Sequence, residues 1–373
     1  MMKSSAYTLG VVTCRSAGRT PPFSETGYFK DLTVEGDSAG IQLIIFPPMN
    51  VNWKNRQVTA WRYHQPVRRW LKEKHPIPQL IYDRCYYTDT THYRTYKPYI
   101  DRLRQDPSVH LLGKPLGGKL QTHLMLQKSP PLSPYLLPTK KFGSTTDLIS
   151  GMKLYTSVLI KPNGGSHGRG VAAITPRGRS FRVRGRSRSN RPFHLILHSG
   201  SSLIHWVGRF IGQTPYIIQP FLNLRSMDGR PFDIRILVQK NGEGKWVTTG
   251  TAVRTGRPGS LTSNLHGGGH AENTEKFLRK NYSPEKAKDI LQSIQYLSEN
   301  VPIQIEQEHG RLLELGLDVG VDRQGNVWLL EANSKPGRSV FLQTGEREVR
   351  RQSVRLPIQY ALTLFKGLTG GSL

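Results

Sequence analysis

The run ELGLDVGVDRQGNVWLLEANSKPG, residues 314–337, constrains this chain more than any other. It reads as two strands, near 315–321 and 326–331, joined by the turn 322–325. Glu331 and Asn333 lie two apart on the second strand, so their side chains share one face. The turn folds Asp318 back beside that strand. With a two-residue loop, Asp318 opposes Leu329 and lies diagonal to Glu331 on the same face. With a bulge at Gly325, the register moves by one, and both pairings stay open. Two carboxylates and an amide oxygen on one face form a hard-oxygen set suited to Mg²⁺. Strands that are purely structural rarely carry three such groups inward, because unpaired buried carboxylates are costly. EF-hand spacing, the mark of the rival Ca²⁺ site, is absent.

A second set precedes it. Lys161 ends an apolar strand and leads into PNGGSHGRG. Gly164, Gly165, Gly168 and Gly170 let the backbone approach a ligand and turn several N–H groups one way, as a phosphate cradle requires. The loop lacks the closing Gly-Lys-Ser/Thr of a Walker A loop. It joins strand to strand, which argues against a Rossmann turn. A glycine-rich hairpin without a ligand is the alternative. Between the two sets, Arg235, Arg254 and Asn264 lie on or beside strands. An arginine there can clamp a phosphate or an oxyanion, or serve only as a salt-bridge partner. His266 and His270 flank a glycine triplet. With no Cys or third His nearby, a mobile lid is the expectation, not a zinc site.

The chain has 373 residues, which suggests roughly two domains. A formal charge of +27 attracts nucleotides, nucleic acid, acidic polymers or anionic lipid without naming one. The two cysteines, Cys14 and Cys85, sit in no metal-spaced motif, so no disulfide framework is expected. The N-terminus lacks the long apolar core of a signal peptide, and no stretch approaches a membrane span. The expectation is a soluble, cytoplasmic protein.

Residues 7–13, 41–46 and 79–83 read as buried strands, and 98–105 as a helix. They predict a small α/β unit over 1–112. After the link 113–118, a helix starts near Lys119, with Leu120, His123, Leu124 and Gln127 on related faces. Strands are expected at 216–221, 233–239 and 246–254, and helices at 202–210, from Ser283, and at 349–365. Residues 177–191 hold seven Arg and no acid. They read as a solvated hairpin with an exposed tip, the alternative being an RNA-binding arginine tract.

KPNGGSHGRGV, a Gln-bearing strand, a DxR strand and then D…ExN together resemble the ATP-grasp superfamily. LGVVT, PPFSE, IFPP, YDR at 82–84, SNLHGGG and the 317–337 run further resemble the YheC/YheD family, described as coat-associated in endospore formers. The resemblance covers nearly the whole chain. It implies an α/β (α+β) architecture. A small N-terminal domain at 1–112 precedes an ATP-grasp domain at 113–373, whose two subdomains hold the nucleotide between them and whose lid spans about 140–215. It also implies that Lys119 and Lys161 are the two nucleotide lysines. The loop from Gly164 through Gly165, Ser166 and Gly168 to Gly170 would cover the phosphates. Gln219 and Phe221 would sit at the adenine hinge, although many superfamily members have Glu where this chain has Gln219. Arg235 and Arg254 would approach the γ-phosphate and acyl phosphate, while Asp318, Glu331 and Asn333 would hold Mg²⁺.

The implied reaction is ATP-dependent ligation of a carboxylate to an amine, with ATP, a carboxylate and an amine as partners. No general base is apparent. The rival readings are a structural coat component that keeps the fold, in contact with spore-coat proteins, and a protein binding an acidic polymer. Nucleic acid is not the expected partner.

Overall fold

The structure is a computed structural model and describes residues 7–165, 168–261, 263 and 269–369. Its strands fall into three sheets in sequence order. The first holds β1 (Tyr7–Val12), β2 (Ile41–Phe46), β3 (Val51–Asn52), β4 (Gln57–His64), β5 (Arg69–Pro76), β6 (Leu80–Asp83) and β7 (His110–Leu112), in the order β3-β4-β2-β1-β6-β7 with β5 on β4. β2, β1, β6 and β7 run parallel. Their near-continuous apolar sequences fit burial on both faces. Helix α1 (Thr26–Ser38) covers one face, whereas α2 (Thr90–Gln105) packs against the other through Tyr96, Ile100 and Leu103. Asp89 caps α2 by accepting from His92 N at 2.8 Å. That cap explains why α2 starts eight residues before the expected 98. Pro98 is carried inside the helix.

After α3 (Lys119–Gln127) comes the second sheet, β8 (Lys140–Phe142) to β13, in the order β12-β11-β10-β9-β13-β8. Its remaining strands are β9 (Val158–Pro162), β10 (Val171–Arg177), β11 (Ser180–Arg186), β12 (Pro192–Leu197) and β13 (Tyr216–Pro220). One face is covered by α4 (Thr145–Tyr155) and α5 (Gly200–Ile211), through Leu148, Leu203 and Val207. The arginine tract matches the expected exposed tip only in part. Gly178 and Arg179 turn the first hairpin, and 187–191 turn the second, whereas Arg182, Arg184 and Arg186 lie on β11, an inner strand paired on both sides.

The third sheet holds β14 (Phe232–Lys240), β15 (Trp246–Thr255), β16 (His270–Glu272), β17 (Glu314–Val321) and β18 (Val327–Asn333), in the order β16-β15-β14-β17-β18. Helices α6 (Thr274–Asn281) and α7 (Pro284–His309) pack on one face through Phe277, Ile290, Ile294 and Leu297. Ser283 caps α7 and Pro284 opens its first turn. After the short α8 (Ser339–Gln343), α9 (Arg347–Thr369) returns to the first sheet. Its Ile358, Leu364 and Phe365 join Phe29 and Leu32 of α1 in one core.

One buried polar cluster ties the first sheet to the third. Glu314 of β17 is fully buried. It accepts from Arg84 Nη1 at 2.9 Å, Gln239 Nε2 at 2.9 Å, Tyr82 and Arg338. Arg84, also fully buried, pairs with Glu25 at 2.7 Å. Two carboxylates thus balance two guanidinium groups, with Glu314, Arg84 and Arg338 buried and Glu25 at the edge of solvent. Beside them Lys335 binds Asp83 at 2.6 Å. Removing one member of such a set leaves its partners charged and unpaired. Glu314→Gln is therefore expected to cost about 3–5 kcal/mol in chemical denaturation. A loss under about 1 kcal/mol would show that the cluster does not hold the sheets together.

Candidate nucleotide and metal site

The site forms where the free face of the second sheet meets the third. On β17 and β18 the register runs Val321↔Val327, Gly320↔Trp328 and Val319↔Leu329, then jumps to Asp318↔Glu331. From Val321 to Val319 the register is one residue out from that of a two-residue loop, with Gly325 at φ 92°, as a bulge there gives. A further bulge at Leu330, which neither alternative contained, then moves the register again at Asp318. The bulge sets the Asp318 and Glu331 carboxylates directly opposite on one face. Asn333, opposite Gly316, follows on that face.

Cations surround the two acids. Arg235, opposite Asp318 on β14, binds it with Nε–Oδ1 at 2.6 Å and Nη2–Oδ2 at 3.2 Å. Arg254 of β15 reaches the same carboxylate at 3.0 Å and clamps Asp233 at 2.6 and 2.8 Å. Burial works to raise the Asp318 carboxyl, but Arg235 and Arg254 outweigh it and hold it at about 2. Burial opposes the charge on Arg254 too, and Asp233 and Asp318 more than restore it. Both arginines are thus salt-bridge partners within the sheet, one of the two roles the sequence allowed. Asp233 sits two residues from Arg235 on the same strand, so strand alternation put it on this face. Sequence reasoning did not assign it a role.

The lysines come from the other side. Lys119, at the start of α3, lies 3.3 Å from Glu331 Oε1 and donates to Gly165 O at 2.8 Å. Asn163 fixes that helix end. Its carbonyl accepts from Lys119 N and its side chain from Leu120 N, both at 2.8 Å. Asn163 stands inside KPNGG but carries no signal of its own in the sequence. Lys161, on β9, points at β18 with Nζ 3.4 Å from Leu330 O. Burial lowers its ammonium to about 8, with Glu331 opposing and Lys119 adding to the shift. His123 of α3 is buried beside it, with Nε2 unpartnered among the described residues. Burial and then Lys161 push its ring below the usual histidine range. The buried face of α3 is Thr122, His123, Met125 and Leu126, whereas Leu124, expected on the His123 face, is exposed.

The glycine loop leaves β9 toward this point. A Cβ at Gly164 or Gly165 would meet nothing within 4 Å, so close protein packing does not require glycine there. Gly165 has φ 96°. Gly168 and Gly170 also have positive φ, and a Cβ at Gly170 would stand 2.9 Å from Tyr216 Oη. Gln219 is buried on β13 and donates to Thr139 Oγ1 at 2.6 Å. Its Oε1 has no partner among the described residues. Phe221 N donates to Ser157 O at 3.0 Å, fixing the end of β13 against the start of β9. Ser166, Asn264 and His266 lie outside the described residues.

Among the described residues no cluster of three His, Cys, Asp or Glu has metal-ligand spacing. The set here is two carboxylates and an amide, all oxygen donors, and that chemistry fits Mg²⁺ better than a softer metal. Asp318 spends both oxygens on arginine, so Glu331 and Asn333 are the donors that would hold the ion. A surface hollow of about 780 Å³, lined by Leu197, His205, Trp206 and Arg209, lies on α5 and apart from these groups.

Two sheets whose facing surfaces bring two lysines, a glycine loop and a pair of carboxylates together define the ATP-grasp class. The chain superposes over 94% of its length on 99% of D-cycloserine synthetase DcsG, with a TM-score of 0.55 and 11% identity, which speaks to the fold alone. It belongs to the YheC/D-like ATP-grasp family, whose description matches residues 108–364. It is 29% identical to the endospore coat-associated protein YheC of Bacillus subtilis (strain 168), across 91% of this chain and 93% of YheC. It is 26% identical to YheD of the same organism, across 91% of this chain and 74% of YheD.

Lys161 is a buried ammonium whose neighbours include another lysine, so its charge is a burden on the isolated fold. Lys161→Met is expected to melt at the same temperature as the parent or higher. A fall of more than about 4 °C, the mark of roughly 1 kcal/mol or more, would instead make Lys161 a structural residue.

Proposed function

We propose that this protein is a Mg·ATP-dependent carboxylate–amine ligase. What carries the reading is the convergence of Lys119, Lys161 and the Gly165 carbonyl on the Glu331–Asp318 pair. In this reading Lys119 and Lys161 neutralise the β- and γ-phosphates, and backbone N–H groups of the 164–170 loop lie along them. Gln219 and Phe221, at the end of β13, sit where the base would be read. Gln219 Oε1 has no partner among the described residues. Glu331 and Asn333 would hold Mg²⁺, which when bound would offset charge on the phosphates. Asp318 orients Arg235 and Arg254 toward the reacting oxygens, and Asn264 belongs to the same catalytic group.

A substrate carboxylate oxygen attacks the γ-phosphorus, and the bond to the β-phosphate oxygen breaks, releasing ADP. The amine nitrogen then attacks the acyl carbon, phosphate leaves, and the amine proton passes to solvent. The protein supplies position and fixed charge, not a base. The names of the two relatives extend the reading to work at a spore coat.

Calorimetric titration with ATP, with and without Mg²⁺, tests the site. Lys161→Ala is expected to weaken binding at least about tenfold, the loss of one charge-assisted contact. Glu331→Ala is expected to remove the Mg²⁺ dependence and the release of ADP with pooled acids and amines. Nucleotide binding with no ADP release under any pool would leave a scaffold, not a ligase. No nucleotide binding by the parent would sink the site.

A further inference from the structure

The proposed reaction leaves a large feature of the second sheet unused. Residues 148–227 contain twelve Lys and Arg and no Asp or Glu. On β11, Arg182, Arg184 and Arg186 alternate, so they stand on one face. Register identifies that face. Arg184 opposes Ala173, Ala173 opposes Leu159, and Leu159 lies two residues from Lys161. The three arginines therefore share the face that bears Lys161. The other face carries Val158, Ile160, Ile174 and Val183 under α4 and α5.

The row is not neutralised from within. The charged groups acting on Arg182 are Arg177 and Arg184, and those acting on Arg184 are Arg225 and Arg177. Arg182 Nε is buried without a partner among the described residues. Arg186 is occupied locally, donating to Asn190 at 2.8 and 2.9 Å. A strand of like charges destabilises itself, and an anion laid along it reverses the sign of the interaction.

Spacing and surroundings select the anion. Alternate residues of a strand repeat at about 6.7 Å. An extended polypeptide repeats its side chains on one face at the same interval, so its carboxylates fall in step with the guanidinium forks. Each fork can take a carboxylate with two hydrogen bonds. Binding of single-stranded nucleic acid adds aromatic side chains for base stacking. The residues on this face of β9 to β12, from Leu159 and Lys161 through Val171, Ala173 and Thr175 to His194 and Ile196, include no Phe, Tyr or Trp. Phe181 and Phe193 belong to the helix-covered face.

We propose that the cleft face of β11 is a docking strip for an acidic polypeptide, the carboxylate substrate of the ligase, with Arg182 and Arg184 holding successive carboxylates and Arg186, its fork on Asn190, adding charge at the end of the row. The proposal rests on the ligase reading for the fate of that substrate. It adds a binding site and no new chemical step.

The test uses the full chain and three fluorescent probes: deca-glutamate, deca-glutamine and a ten-nucleotide oligothymidylate. ATP calorimetry is run on the same samples. Deca-glutamate is expected to bind, and more weakly as salt rises. Combining Arg182→Gln, Arg184→Gln and Arg186→Gln is expected to weaken it at least about tenfold, the equivalent of one charged contact or more. Changing the same three to Lys keeps the charge and guards against a folding defect. The Lys variant is expected to bind more tightly than the Gln variant and more weakly than the parent, because charge returns without the fork, and neither set to move ATP affinity by more than about twofold. Three results overturn the strip: deca-glutamate binding no better than deca-glutamine, the Gln variant binding as the parent does, or oligothymidylate binding more tightly than deca-glutamate. If ATP binds and deca-glutamate does not, the strip fails alone. If deca-glutamate binding follows the arginines while ATP does not bind, the strip stands and the ligase reading fails.

Discussion

Two carboxylates facing each other across adjacent strands repel, and they persist only where cations are held beside them. Asp318 and Glu331 are such a pair, and much of the third sheet and of its contact with the second answers their charge. Asp318 is neutralised within the sheet by Arg235 and Arg254, whose own geometry is fixed by Asp233. Glu331 is met from outside by Lys119, with Lys161 close behind. The site is thus electrostatically split. One carboxylate belongs to the protein. The other, among the described residues, pairs with a lysine at 3.3 Å, a flexible cation, and is the one suited to exchange partners.

The fold supplies these groups by local devices. The Leu330 bulge turns a diagonal pair into an opposed one. Asn163 welds the end of β9 to the start of α3, so that Lys119 and Lys161 reach one point although forty-two residues separate them in sequence. Glu314, four residues before Asp318 on β17, anchors the first sheet through Tyr82 and Arg84. β17 therefore carries the interface with the first sheet at one end and the site at the other.

The parts that were legible in sequence are those where periodicity or residue chemistry is strong. The apolar run of β2 and the capped start of α7 can be read directly, as can the alternation that put Asp318, Glu331 and Asn333 on inward faces. The register was not legible, because nothing in LLEAN marks Leu330 as the bulged residue. Helix α1 was missed because its sequence, TGYFKDLTVEGDS, mixes Gly and Thr with only a weak apolar stripe. It is buried between the first sheet and α9, the latter more than three hundred residues away. The hairpin of β4 and β5 was missed for a similar reason, since β5 is largely exposed and charged. The arginine tract was read in part: the β11–β12 hairpin has its exposed turn at Arg188 and Arg191, but charge density gave no sign that Arg182, Arg184 and Arg186 stand on an inner strand paired on both sides.

The central claim is that nucleotide and metal enter between β9 and β18, against Lys119, Lys161 and Glu331. Hydrogen–deuterium exchange with and without Mg·ATP tests it most directly, because it reads position along the chain without needing a known acid or amine. The account predicts slower exchange in residues 158–171 and 314–333, with the strands of the first sheet unchanged. Protection confined to the first sheet, or none in either of those two segments, would contradict it.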